Sequence, residues 1–470
     1  MTIFTESLAF NADVHTPVEL YLSLRNDFRK ACLLESNDYH DRSDSKSLIG
    51  LEPILEIKLI DNQLFLKSEE NPAYNQIMQL DQSSPIDLQI QHFLDRISFN
   101  DPRSDNGFFG RFGFEFALLT ENHITKKASD LNLPDMHLFV FKYILVIDHF
   151  KDQGTLIKNS FAQNDAITSV EKNQLLIKKP FTHLPFEIVN SEKGMFNDDE
   201  FRSIVREAQK HCKRGDVFQL VLSNAFNQPF FGDDFVVYRE LRRLNPSPYL
   251  FFFDFEEYRL FGSSPEAQVK ISNGIAEIHP IAGTVVKTGD SDKDIESVKF
   301  LKSDEKENAE HTMLVDLARN DLSKNCSNVK VKNYKEIQEF SHVFHIVSKV
   351  VGTLESDQSV ISFNHSFPAG TLSGSPKPKA LELIAKYEHT TRDFYGGAIG
   401  LLSSNGDVNL AIVIRSLLSK DNQLHYRAGA GIVLDSIPEN ECAEVHNKLR
   451  AVRTAIQQAH GVHQLAKSIL

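Results

Sequence analysis

Apolar positions in the first third of the chain fall at helical spacing and then alternate. Glu19 to Leu34 carries them at roughly helical intervals and ends in Leu33-Leu34-Glu35-Ser36, so the spacing predicts an amphipathic helix there. A charged, polar loop follows from Asp38 to Lys46. Ile54 to Ile60 and Leu64 to Lys67 read as two short strands around Asp61-Asn62, a hairpin signal. Ile86 to Phe99 reads as a helix. The glycine- and phenylalanine-rich run Gly107 to Glu115 predicts close backbone approach rather than a regular element. Leu138 to Ile147 is apolar enough for a buried strand, and the polar run Asp152 to Gln174 reads as a connection.

From about residue 197 apolar strands alternate with strong turn and cap signals. Helices are predicted for Asp198 to Arg214, closed by Gly215, and for Asp234 to Leu244, stopped by Asn245-Pro246-Ser247-Pro248. Others are Glu305 to Leu317, Tyr334 to Phe340, Pro376 to Lys386, and Pro438 to about His460. The last opens with Ser436 as cap and Glu439 closing a capping box. Strands are predicted at Val217 to Leu222, Leu250 to Phe255 and Val343 to Leu354, with a hairpin over Val269 to Ile278 and three strands over Gly397 to Val433. Hairpins outnumber strand-helix-strand units, so the pattern predicts an α+β fold of large antiparallel β-sheets packed together and covered by helices. The division expected is an N-terminal part, 1–196, interwoven with a second region, 197–470.

Composition narrows the function classes. A formal net charge of −13 over 470 residues argues against a general nucleic-acid or anionic-membrane surface, while leaving room for a small anionic substrate held by a few placed Lys and Arg. Cys32, Cys212, Cys326 and Cys442 lie far apart without CxxC spacing, which suits reduced thiols. With no basic leader and no apolar run of membrane length, a cytoplasmic protein is expected.

Two acidic stretches carry the first chemical signal. Glu307 and Glu310, and Glu441 and Glu444, are each three residues apart, which on a helix stacks both carboxylates on one face. Alone, such a pair is usually a solvated helix face. Two of them, brought together, would offer oxygen ligands to a hard divalent cation, best Mg2+. Phe367 to Pro376 leads into a helix, and Ala428-Gly429-Ala430-Gly431 ends a strand. Both offer backbone N–H groups to an anion, although either alone reads as a tight turn. Arg415, on a predicted strand, and Lys448, one turn beyond Glu444, suit a small di-acid. Glu266 and His345 are acid/base candidates, though a lone histidine in an apolar strand is more often a core residue.

In order and without large gaps over about 197 to 456, these motifs resemble the chorismate-utilising enzymes, and within them the large subunits of anthranilate synthase. They are Gly215 to Gln219, Ser264-Pro265-Glu266, Pro280 to Thr284, Asp304 to Asp321, Ser341 to Gly352, Pro368 to Pro376 and Ala428 to Lys448. The resemblance implies conversion of chorismate and ammonia to anthranilate and pyruvate. It implies Glu310 and Glu444 as magnesium ligands supported by Glu307 and Glu441. Arg415, Tyr395 and the Gly429, Ala430 and Gly431 backbone would hold the enolpyruvyl carboxylate, with Thr284, Thr371 and Lys448 lining the pocket. Glu266 would protonate the departing 4-hydroxyl, and His345 would assist loss of pyruvate.

Further expectations follow from the resemblance. Leu34, Glu35, Ser36 and Lys46 with Asn245, Pro248 and Tyr249 would form a tryptophan feedback site. Gln219 stands where water-adding relatives carry a lysine base. Ala282 stands where one type of aminodeoxychorismate synthase carries a nucleophilic lysine, and alanine forms no covalent adduct. None of the four cysteines sits in a glutaminase setting, so ammonia would come from a glutamine amidotransferase subunit, anthranilate synthase component II. The alternatives are an aminodeoxychorismate synthase lacking that lysine and a non-catalytic subunit binding chorismate or tryptophan.

Overall fold

The structure, a computed structural model, describes residues 1–36, 45–81, 84–121, 124–177, 179–181, 184–339, 343–355 and 359–469, with side chains to residue 461 apart from Lys306. Strands Lys46–Ile60 and Met136–Asp148 form its spine, paired antiparallel from Lys46↔Asp148 to Leu59↔Met136 with a break in register between Pro53 and Leu55. On either side of that break each strand takes a different outer neighbour. Lys46–Ile60 pairs first with Ala31–Ser36 and then with Gln63–Lys67, while Met136–Asp148 pairs first with Gly107–Phe112 and then with Gln153–Ser160. The sheet therefore branches into two arms.

One arm runs through Ala31–Ser36, Tyr249–Asp254, Arg259–Ser264, Ser416–Lys420, Gln423–Ile432 and Gln219–Gly232. The other runs through Gly107–Phe112, Ala398–Ser403, Val408–Ile412, Ala267–Ser272 and Ile275–Ile278 to Val343–Leu354. That last strand also pairs with Ile281–Val286 and Cys326–Glu339. Phe251, Phe253 and Leu260 from the first arm pack with Phe109 and Ile399 from the second and with Phe139 and Phe141 from the spine. Burying a large side chain of this kind is worth roughly 1.5–3 kcal/mol, so this interior holds the arms together. Helices Asp198–Arg214, Phe235–Leu244 and Pro438–Ile469 cover the first arm, and Glu305–Leu322 packs on the end strands of the second. This is the α+β architecture that the pattern predicts.

Several elements match closely, for physical reasons. Helix Asp198–Arg214 starts on a capping box between Asn197 and Glu200 and stops at Gly215, left-handed at φ 80. Such a cap is worth about 1 kcal/mol. Asp61 and Asn62, both at positive φ, turn the predicted hairpin.

Others differ. The helix predicted over Glu19 to Leu34 is a short one, Pro17–Leu24, followed by the strand Ala31–Ser36. That strand is paired on both sides, and the continuous apolar run of a central strand cannot be told from a helix by periodicity. Tyr334 to Glu339 belongs to the strand Cys326–Glu339, whose burial alternates residue by residue as far as Ile337; Phe340 lies outside the described residues. The Asp152 to Gln174 run contains the strand Gln153–Ser160 and most of the helix Ser169–Leu176. Two polar side chains of that strand are buried but satisfied: Lys158 bonds Asp165 and Glu171, and Asn159 bonds Asn106 and the Phe141 carbonyl.

Gly107–Phe112 is a regular strand, yet the close approach is real, since a Cβ on Gly110 would sit 2.0 Å from the His137 carbonyl oxygen. The helix from Ile86 ends at Asp95. Gly397 to Val433 holds four strands rather than three, because the chain turns at Arg415, φ 49, which places that residue between strands. Ser436 accepts from the Val433 N–H, and the Ile437 carbonyl accepts from Asn440 and Glu441, starting the last helix one residue later than the capping box predicts. The loop expected from Asp38 to Lys46 falls mostly on residues 37–44, outside the described set.

Candidate active site

The pocket is built on the end of the strand pair Gln219–Gly232 and Gln423–Ile432, in register Val221↔Gly431 and Ser223↔Gly429. Gly429 and Gly431 are two residues apart and so point to one face. A Cβ on Gly431 would come 2.6 Å from Gln219 Nε2, and one on Gly429 would come 2.9 Å from the Leu222 carbonyl oxygen and 3.2 Å from the Tyr395 hydroxyl. The missing side chains thus make room for the Gln219 amide and the Tyr395 phenol. Ala430 points the other way, fully buried in the core, so only its backbone can serve the pocket.

Glu266 follows the strand Arg259–Ser264, and its Oε1 accepts from the Thr371 hydroxyl at 3.1 Å. Burial pushes its carboxyl up to about 7, against that hydrogen bond and the charges of Arg415 and Lys448, which pull it down. A carboxyl poised there can hold a proton at neutral pH and give it up. Thr371 lies in the tight turn Gly370–Leu372, which sits against the helix Glu305–Leu322: a Cβ on Gly370 would meet Leu317 Cδ2 at 2.2 Å. The rest of the Phe367 to Pro376 run is less open than its composition suggests. Gly374–Ser375 pairs with Gln219 and Leu220, and the Ser373 and Ser375 carbonyls accept from Val221 and Phe218.

His345 stands opposite Thr284 in the pair of strands Ile281–Val286 and Val343–Leu354. Its Nδ1 is 3.0 Å from the Gly283 carbonyl oxygen and 3.0 Å from Thr284 Oγ1. A carbonyl can only accept, so Nδ1 carries the proton and Nε2 is the acceptor nitrogen. Burial also holds the imidazole's pKa below its ordinary value, which keeps it neutral.

Glu307, Glu310 and Glu444 reach this region from two directions. Asp304 caps the helix Glu305–Leu322 through the Glu307 N–H, and His311, fully buried, bonds Ser348 Oγ at 2.6 Å and ties that helix to the His345 strand. Glu307 Oε2 lies 3.3 Å from the place a Cβ would take on Gly283. Glu310 accepts from Gln219 Nε2 at 2.9 Å, while Glu444 pairs with Lys448 at 2.6 Å, whose ammonium also bonds the Gly429 carbonyl at 2.9 Å. Both helices therefore arrive at the same strand ends, Glu310 through Gln219 and Glu444 through Lys448. Among the described residues, the group with three metal-ligating atoms within 4.8 Å of one another is Asp198, Cys442 and His446, not the glutamates. At that group Arg453 donates to His446 Nδ1, so Nε2 carries the proton that Asp198 accepts, and the cluster is a hydrogen-bond junction. At the glutamates the donors fit a hard divalent cation: four carboxylates, with Gln219 Oε1 buried beside Glu310 and lacking a hydrogen-bond partner.

The second group of predicted residues also converges. Ser36 lies opposite Tyr249, and Glu35 lies between Leu250 on one side and Ser47, next to Lys46, on the other. Asn245 reaches the Ser263 carbonyl at 3.3 Å. The Glu35 carboxylate is buried, taking the Tyr238 hydroxyl at 2.7 Å and both Nε and a terminal N–H of Arg242 at 2.8–3.1 Å. Tyr238 and Arg242 were legible only as neighbours four apart on one helix face, and Gln219 only by analogy; nothing in the sequence marks either as a partner of a glutamate.

Known proteins resemble the chain in sequence and in fold. A family profile described as chorismate binding enzyme matches residues 29–454. Anthranilate synthase component 1 of Acetivibrio thermocellus is 35% identical over 95% of this chain and 94% of its own, and that of Aquifex aeolicus is 33% identical over 97% and 94%. The crystal structure of anthranilate synthase component I from Streptococcus pneumoniae superposes with a TM-score of 0.75 at 33% identity, covering 87% of this chain and 92% of that one. The menaquinone-specific isochorismate synthase MenF of Escherichia coli shares the fold, with a TM-score of 0.75 at 20% identity over 97% of this chain and 94% of that one. The chain belongs to the chorismate binding enzyme family.

Proposed function

We propose that the chain converts chorismate and ammonia to anthranilate, pyruvate and water, as the names of its relatives suggest. The observation that carries this reading is Glu266, with its carboxyl near 7, bonded to Thr371 and facing Arg415 and Lys448. Protonated, it supplies the proton that the 4-hydroxyl needs to leave as water while ammonia adds at C2. His345 then takes the C2 proton on Nε2 as the C–O bond to the enolpyruvyl group breaks; the ring becomes aromatic and pyruvate departs. Arg415, the Tyr395 hydroxyl and the Gly429 to Gly431 backbone orient the enolpyruvyl carboxylate, and Thr284 holds the imidazole in place. Magnesium, held by Glu310 and Glu444 with Glu307 and Glu441 behind them, would neutralise the substrate's ring carboxylate. Gln219 and Ala282 favour amination by direct attack of ammonia over addition of water or an enzyme-bound amine.

Ammonia comes from a glutamine amidotransferase partner, and tryptophan binds at Leu34 to Ser36, Lys46, Asn245, Pro248 and Tyr249 as a feedback inhibitor. The adjacency of these segments across three strands supports the second assignment. Incubation with chorismate, magnesium and ammonium at alkaline pH tests the reading. Anthranilate fluorescence is the expected result; a non-fluorescent amino product that needs a separate lyase would mark an aminodeoxychorismate synthase instead.

A further inference from the structure

Behind the Thr371 turn lies a buried charge cluster that the reaction scheme does not use. Glu388, Arg392 and Arg427 have side chains no more than 4% exposed. Glu388 takes Nε and NH2 of Arg392 at 2.9 and 2.6 Å, NH2 of Arg427 at 2.7 Å, and the backbone and side chain of Ser223 at 2.8 Å each. Those bonds already satisfy the carboxylate. Arg392 nevertheless directs two further N–H groups elsewhere: NH1 to the Leu372 carbonyl at 2.5 Å and NH2 to the Val221 carbonyl at 2.8 Å. Leu372 is the neighbour of Thr371, and Val221 pairs with Gly431 in the strand pair under the pocket. The main chain of Arg392 is itself fixed, since its N–H and that of Asp393 both donate to Glu115, at 2.7 and 2.9 Å, and the Phe114 ring lies 4.5 Å from the guanidinium.

We propose that Arg392 is a positioning residue for the reaction: one guanidinium, bonded to Leu372 and Val221 at once, fixes the Thr371 turn to the strand beneath the pocket and so keeps the Thr371 hydroxyl on Glu266. The planar fork of five donors makes four bonds at once, to two carbonyls and both oxygens of Glu388, whereas a lysine ammonium has only three donors. The inference rests on Glu266 being the general acid. The groups facing Glu266 are the Thr371 hydroxyl, Arg415 and Lys448, and each favours its ionised form. If the hydroxyl swings away, Glu266 keeps its proton to higher pH while losing its orientation.

The test measures kcat, KM for chorismate and the pH profile at constant free ammonia, with magnesium present. The variants are Arg392→Lys, Thr371→Val and the double R392K/T371V. Arg392→Lys should lower kcat about tenfold to a hundredfold, the scale of a small misplacement at a reacting centre. KM should change little and the alkaline limb of kcat should move to higher pH. The double variant should be no slower than Thr371→Val, because both act on one contact. Ser223→Ala removes one bond to Glu388 and the acceptor of Arg427 Nε but leaves both Glu388–Arg392 bonds and both carbonyl bonds, so it should lower thermal stability and leave the limb in place. If Arg392→Lys does not fold, Glu388→Gln reads the same coupling with a smaller effect in the same direction. An unmoved limb, multiplicative rate losses in the double variant, or the same limb shift in Ser223→Ala would each overturn the inference. A wild-type profile without an alkaline limb near 7 would overturn the Glu266 assignment and this inference with it, which tells that failure apart from one confined to Arg392.

Discussion

Replacing Glu266 by glutamine should make the protein more stable and nearly inactive. The amide matches the carboxyl in shape and still accepts from Thr371, so the pocket keeps its packing. What it removes is the titration. In the folded protein the carboxyl holds its proton to about 7, against an ordinary value of 4.5, so between those two pH values the folded state binds a proton that the unfolded state has released. Wild-type stability therefore falls as pH rises through that window and is lowest above it. The ceiling is ~3 kcal/mol, and solvent reaching a partly exposed carboxyl reduces it to about 1–2 kcal/mol. Denaturant unfolding at pH 5 and pH 8 reads the difference: the variant should match wild type at the lower pH and exceed it by that margin at the higher. Its ammonium-dependent kcat should fall ~10²–10⁴-fold, equivalent to ~2.7–5.5 kcal/mol of transition-state stabilisation. Equal pH dependence of stability in the two proteins, or a rate within tenfold of wild type, would refute the reasoning.

Three more expectations follow from the site. Gly431→Ala puts a methyl group 2.6 Å from Gln219 Nε2 and should push the amide off Glu310, lowering kcat/KM while costing about 1–3 kcal/mol of stability; unchanged kinetics would show that Gln219 does not matter. Removing divalent cations with EDTA should abolish turnover and added magnesium should restore it, and Glu310→Gln should need far more magnesium; activity that survives chelation would sink the metal assignment. Calorimetric titration should detect tryptophan binding to wild type, and Tyr249→Ala should lose both binding and inhibition while turning over without tryptophan. Wild-type protein that binds no tryptophan would end that assignment.

Much of the fold was legible because local chemistry agreed with the tertiary result. The Asn197 box, Gly215 and the Asp61-Asn62 turn act within a few residues, and their elements fall where the sequence places them. Ala31–Ser36 was not legible, because its identity as a strand is decided by neighbours on both sides that lie elsewhere in the chain. Gln153–Ser160 was missed because its buried lysine and asparagine look like loop residues until their partners, Asp165 and the distant Asn106, are known.

The same division holds at the site. The acid, the histidine and the glycines were visible as motifs. Their supports were not: the Thr371 bond to Glu266, the Gly283 carbonyl on His345, and the Gln219 bridge to Glu310 each join residues dozens to more than a hundred positions apart. How the two glutamate helices stand to one another was beyond the sequence, since spacing sets which face of a helix is acidic but not what stands between two such faces.

The most direct measurement is the stoichiometry of the ammonium reaction. With chorismate, magnesium and excess ammonium, anthranilate and pyruvate should appear together and in equal amounts from the first turnovers, with no amino intermediate building up. Consumption of chorismate into an amino product without pyruvate would contradict the account, because it would mean that Glu266 and His345 do not complete the reaction in one pocket.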